Sequence, residues 1–235
     1  GGLLRRRAVV SASGLPPDAL KFLAELKKHN NKPWFDKNKA RYEQSLRDPF
    51  VAFCAALAPK LNALSPYIAV VAKPQGGSIS RIYRDTRFSK DKTPYKSGLF
   101  AHFRHSDADD EGPSPGLYLH VEPGHTVLGA GIWHPSPPQL KSIRDAIVAK
   151  PSTWKKVKHG KTWSLHGDAL KRPPPGYDPS HEFIDDLKRK DFALMAELTD
   201  ATVTSSRFAS AVISQYQKML PFFEYISAAV GLPTR

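Results

Sequence analysis

The chain has 235 residues, 40% of them hydrophobic and 24% charged, and carries a formal net charge of +13. That length supports one large domain with a substantial core. The single cysteine, Cys54, excludes an internal disulfide framework and a multi-cysteine zinc site, and no apolar run reaches the roughly 18 residues of a membrane-spanning helix.

Residues 1–14 open Gly-Gly-Leu-Leu-Arg-Arg-Arg and read as a disordered tail, a remnant of expression or trimming, with residual transit sequence as the other reading. Residues 15–235 read as one domain. Pro16-Pro17-Asp18 starts a helix whose apolar side is Leu20, Phe22, Leu23 and Leu26. Asn30-Asn31-Lys32-Pro33 ends it, a second helical stretch runs from Trp34 past Tyr42, and Phe50, Phe53, Leu57 and Leu61 continue at helical spacing. Cys54, among Phe53 and Leu57, reads as inert core.

From Ile68 the period changes to two. Residues 68–71, 78–88, 98–105, 116–122 and 125–133 read as five strands of an antiparallel meander, because the connections between them are too short for parallel crossovers. The acidic stretch 107–111 reads as a solvated hairpin tip. Ser136-Pro137-Pro138 then caps a helix, four prolines between Lys171 and Pro179 mark an irregular crossing, residues 181–188 read as helical, and the chain closes over 205–230 with one helix kinked at Pro221 or a pair of helices whose second member Pro221 starts. The fold class is α+β: a single domain with a mostly antiparallel sheet of about five strands flanked by N- and C-terminal helices.

The segment from Arg81 to Lys96 holds three arginines, three lysines, two aspartates and two tyrosines around apolar Ile82 and Phe88. On a strand, Arg81, Tyr83, Asp85 and Arg87 share one face, setting two guanidiniums about a carboxylate. Guanidinium suits planar oxyanions because it offers paired donors and stays charged. Arg81, Arg84, Arg87, Lys92 and Lys96 are therefore candidate ligands of a phosphate or carboxylate group, and Asp85 and Tyr95 are candidate proton carriers. The competing reading is an ion-pair network that locks the segment. His102 and His120 join the candidate ligand-binding residues if the strands over 98–105 and 116–122 pair. They show no metal-ligand spacing, so no metal and no cofactor are expected. The chain has no P-loop, no nucleophile elbow and no dinucleotide fingerprint.

The pattern Arg81-x-x-Arg84-Asp85-x-Arg87-Phe88-x-x-x-Lys92-x-x-Tyr95 resembles the signature of a conserved family of unknown function found in bacteria and fungi. The resemblance extends to Asn30-Asn31-Lys-Pro-Trp34-Phe35 with Tyr42 and Pro49, to Gly129-Ala-Gly131 with Leu140-x-x-Ile143-Arg144, and to the region of Pro221. It implies that residues 81–95 are the family's defining feature. It implies no activity and no catalytic residues, so whether the protein is an enzyme stays open.

The functional expectation is a protein of the cytoplasm that binds an anionic small molecule at Arg81–Lys96, with or without turnover. The first alternative is a nucleic-acid-binding module using residues 141–172, which hold nine basic residues against Asp145 and Asp168. The second is a structural or interaction protein. No membrane partner is expected.

Overall fold

Pro17 at the first turn, Asp18 beside it and Lys27 and Lys28 at the end suit the helix dipole of α1 (Pro17–Lys28), which buries Ala19, Phe22, Leu23 and Leu26. In this computed structural model the described residues are 13–235 without Gln75, Asp110 and Glu111, so the expected tail lies outside them except for Ser13 and Gly14. Ser13 and Leu15 bond to the backbone of Ala209 and Val203, which fixes the start of the described chain. Part of the acidic tip at 107–111 also falls outside.

The Asn31 side chain caps α2 (Lys32–Lys37), which leads through α3 (Lys39–Tyr42) and a π-helical turn (Glu43–Arg47) into α4 (Asp48–Leu64). The π turn has a local cause. The ring of Pro49 would meet the carbonyl four residues earlier in α geometry, and the wider turn relieves that clash. Cys54 is buried in α4, and burial pushes its thiol up to about 12.

The sheet contains β1 (Leu99–Arg104), β2 (Gly116–Val121), β3 (Thr126–Ile132), β4 (Ser164–His166) and β5 (Phe192–Leu198), all antiparallel, in the order β1-β2-β3-β5-β4. Between β3 and β4 lie α5 (Pro137–Ala149), started by a Ser136–Gln139 capping box, and α6 (Pro151–Lys158); α7 (Ile184–Leu187) precedes β5. After β5 come α8 (Asp200–Val203) and α9 (Phe208–Ala229). α9 packs on β2, β3 and β5 and against α4, α5 and α6. The buried side chains Phe103, Leu117, Leu119, Leu128, Ala130, Phe192 and Leu194 face it, and the Tyr216 hydroxyl reaches through to the Tyr118 carbonyl at 2.7 Å. α9 runs as one helix through Pro221, so the closing segment is the single helix of the two readings and not a pair.

The α+β class and the antiparallel five-strand sheet agree with the sequence reading, but two strands are exchanged. Residues 68–71 and 78–88 are not strands; they touch the sheet only by isolated bridges, Ile68 to His105 and Ile79 to Ala101, while Tyr83 bridges to Tyr95. Beyond Ser80 the segment leaves β1 because its polar groups bond within their own loop. β5 went unread because Phe-Ala-Leu-Met-Ala-Glu-Leu is rich in helix formers, and pairing with β3 overrides that preference. The expected helix over 181–188 is only the single turn of α7. Among the described residues no helix is long and apolar enough to cross a membrane.

Candidate ligand-binding site

Direct pairing places Phe100 opposite His120, His102 opposite Tyr118, Gly129 opposite Met195 and Ser164 opposite Met195 on the next strand. Paired residues share a face, so these side chains lie on the sheet surface turned away from α9. Phe100 stacks on His120 with ring centres 4.1 Å apart, and His102 on Tyr118 at 4.4 Å. Glycine makes the arrangement possible: a Cβ at Gly116 would collide with the imidazole of His102, and one at Gly98 with that of His120. Above these rings is a cavity of about 410 Å³, also lined by Ser80, Trp133 and Met195. Burial, with help from Arg104, lowers His102 to about 4, so its ring is neutral near pH 7. Burial also lowers His120, opposed by Glu122 at 3.3 Å. Nε2 of each histidine is buried without a well-aligned hydrogen bond.

The loop from Arg81 to Lys96 stands beside β1. Arg84 N donates to Pro94 O and Lys96 N to Ile82 O, so the two arms run together. The Arg84 guanidinium holds the tip closed by donating to Asp91 Oδ2 at 2.5 Å and to the carbonyl and hydroxyl of Thr93. Lys92 Nζ donates to the Thr86 carbonyl at 2.8 Å. Arg87 forks onto Asp85 at 2.7–3.2 Å in the open, and Phe88 beside them is 95% exposed. Arg87 lowers Asp85 from the ordinary carboxylate value. At the base, Ile82 and Tyr95 are buried, and Tyr95 stacks on Phe35 at 4.1 Å. The Asn30 amide clasps Tyr95 from both sides, donating to its carbonyl at 2.9 Å and accepting from its N–H at 3.0 Å.

A second cavity, of about 360 Å³, opens between this loop and α1, lined by Lys27, Asn30, Arg84, Tyr95, Lys96 and Phe100 among others. Phe100 is shared with the ring-lined cavity. At their junction Lys96 Nζ donates to Ser80 Oγ and lies 5.6 Å from the centre of the Phe100 ring. Lys96 has no carboxylate partner among the described residues. Burial, and then Arg81, lower its pKa. The other charges are matched: Arg84 with Asp91, and Lys27 with Glu122 at 3.1 Å.

The structure thus brings Arg84, Tyr95 and Lys96 to one cavity and His102 and His120 to the next. It does not bring Arg81, Arg87, Lys92 or Asp85 there: Arg81 lines a separate hollow with Tyr42 and Tyr83, and the other three belong to the exposed tip. Lys27, Asn30, Ser80 and Met195 also line the two cavities, and sequence reading did not single them out. Asn30 was visible as half of an Asn-Asn pair breaking a helix, but its partner lies 65 residues away. Among the described residues no three histidines, cysteines or carboxylates converge as metal ligands.

Over 141–172 the basic surface is partly consumed. Lys141 pairs with Asp145, Lys158 with Asp186, and Arg144 is buried against the Arg189 carbonyl. Lys150, Lys155, Lys156, Lys161, Lys171 and Arg172 are exposed.

Residues 18–225 match the sequence profile of DUF2461, described as a conserved hypothetical protein. The chain belongs to that family. The match spans the Asn30 clasp, the Arg84 loop and the ring-bearing strands, so the whole site lies within the DUF2461 region. No curated protein and no solved structure matches this DUF2461 chain.

Proposed function

We propose that this protein binds a small anionic ligand, carrying a phosphate or a carboxylate, at the junction of the two cavities. The observation that carries the reading is Lys96. An ammonium half-removed from water, held by one hydroxyl and an aromatic face, lacks the anion that would normally compensate its desolvation. Asn30 and the Arg84 clamp hold the loop that presents it, so the cation is preorganised. Of the loop's other cations, Arg84, Arg87 and Lys92 are engaged in holding that shape, and exposed Arg81 and Lys90 line neither of the two cavities, which joins the two readings of the signature: part of it is an ion-pair network, and the cation left at the junction is the ligand's.

The test is calorimetric titration with inorganic phosphate and with citrate at fixed ionic strength, on the wild type and on Lys96→Met. Saturable binding by one of them, weakened at least tenfold in Lys96→Met, is expected. Equal affinities in the two proteins would overturn the reading. Six cations of the 141–172 stretch are exposed with no ion pair among the described residues, and they favour oligonucleotide binding as a second reading; its mark is affinity falling steeply with salt and unchanged in Lys96→Met.

A further inference from the structure

The two joined cavities differ in character. One is lined by aromatic and imidazole rings, the other by amide, hydroxyl and charged groups, and Phe100 belongs to both. A ligand filling both has a flat unsaturated part and an anionic part, separated by a short polar bridge that passes Ser80.

Building on the anion reading, we propose that the ligand is a nucleotide unit, its base over the Phe100, His102, Tyr118 and His120 rings and its phosphate at Lys96. Three features favour a base over an acyl chain or a bare acid. The floor is made of parallel ring pairs, 4.1 and 4.4 Å apart, whereas an acyl chain is matched by aliphatic lining. Burial lowers both imidazoles, so the rings stack without placing a cation against the base. The hydroxyl of Ser80 stands between rings and ammonium, where the sugar would pass. The nearby carboxylates do not repel the phosphate strongly, because Arg84 and Thr93 occupy Asp91 while Lys27 and Ser97 occupy Glu122.

The ring-lined cavity also continues, through Val127 and Met195, into a third of about 480 Å³ lined by Lys161 and Trp163 near β4. A nucleotide unit therefore has two sources here, a free nucleotide or the 5′ end of a single strand whose next residues run toward Trp163.

The experiment titrates the full chain with uridine 5′-monophosphate, adenosine 5′-monophosphate, ribose 5-phosphate, uridine and a 5′-phosphorylated hexathymidylate, on wild type, Lys96→Met, His102→Ala and His120→Ala. A stacked base contributes about tenfold or more in affinity. At least one monophosphate should bind at least tenfold tighter than ribose 5-phosphate, and that margin should vanish in a histidine variant that stays folded by circular dichroism. Should both histidine variants unfold, the margin in the wild type alone decides. A tenfold preference for the hexamer over the monophosphates, lost in Trp163→Ala, assigns the strand end; parity assigns the free nucleotide, and either supports the proposal. Ribose 5-phosphate equal to every nucleotide, with all binding lost in Lys96→Met, overturns the nucleotide and leaves the anion reading standing. Uridine equal to its monophosphate, indifferent to Lys96→Met, overturns both the phosphate placement and the anion reading. No binding by any probe overturns the nucleotide proposal, and the phosphate and citrate titrations then decide the anion reading separately.

Discussion

Replacing Asn30 by alanine tests whether the end of α1 and the Arg81–Lys96 loop are one mechanical unit. The Asn30 amide is the partner of both backbone polar groups of Tyr95, at 2.9 and 3.0 Å, and the Tyr95 residue is only 3% exposed. Each neutral hydrogen bond contributes about 1 kcal/mol net, and a buried group left without a partner costs about 1–3 kcal/mol. Alanine removes both bonds where water reaches poorly, so the loss is about 3 kcal/mol. For a chain of this length that lowers Tm by roughly 6–12 °C. Asn31→Ala is the control one residue away. Asn31 only caps α2 through the Trp34 amide, a contribution of about 1 kcal/mol or roughly 2–4 °C. Thermal unfolding followed by circular dichroism reads both variants. Hydrogen exchange adds a local readout, since the Tyr95 amide should lose protection in Asn30→Ala and keep it in Asn31→Ala. An Asn30→Ala protein that melts no lower than Asn31→Ala, with Tyr95 still protected, would refute the clasp.

The remaining predictions concern burial. His102, held at about 4 instead of the ordinary 6.5, binds its proton more readily in the unfolded chain, so its contribution is complete above pH 6.5 and is lost as pH falls toward 4. Between pH 7 and pH 4.5 this costs about 2 kcal/mol, and His102→Phe should lose that much less over the same interval in urea unfolding; equal losses would contradict the argument. Asp186, 7% exposed, accepts from Trp154 Nε1 at 2.8 Å and pairs with Lys158. Asp186→Asn leaves that lysine without its counter-charge, at about 3 kcal/mol, so a Tm within 2 °C of wild type would count against it. Phe88 is 95% exposed, so Phe88→Ser should change stability by less than about 0.5 kcal/mol; a larger loss would show that the ring packs against something.

What the sequence discloses here follows the range of the forces involved. Period-two alternation located β1 and β2, because a strand with one face on a core records that burial in its own side chains, while β3, buried throughout, was located by the tight turn Glu122-Pro-Gly-His125 that joins it to β2. The alternation also carried the pairing that sets His102 and His120 on one surface. β5 was invisible because its own residues favour a helix, and what makes it a strand is pairing with β3 and β4, which no local pattern records. The Arg81–Lys96 loop was legible as a place and misleading as a shape. Its charge density showed that many donors and acceptors need partners, but an arginine reads the same whether its carboxylate lies on a facing strand or seven residues along the loop, as Asp91 does from Arg84. Once Asp85, Asp91, Thr86 and Thr93 are assigned to Arg87, Arg84 and Lys92, three of the loop's six positive charges remain, and of these Arg81 and Lys90 are exposed away from the two cavities while Lys96 is half-buried at their junction. That cation is set by Ser80 and Phe100, two residues with no charge to draw attention to them. The signature, on this argument, is conspicuous because it holds the loop, and the chemistry sits on its least conspicuous member.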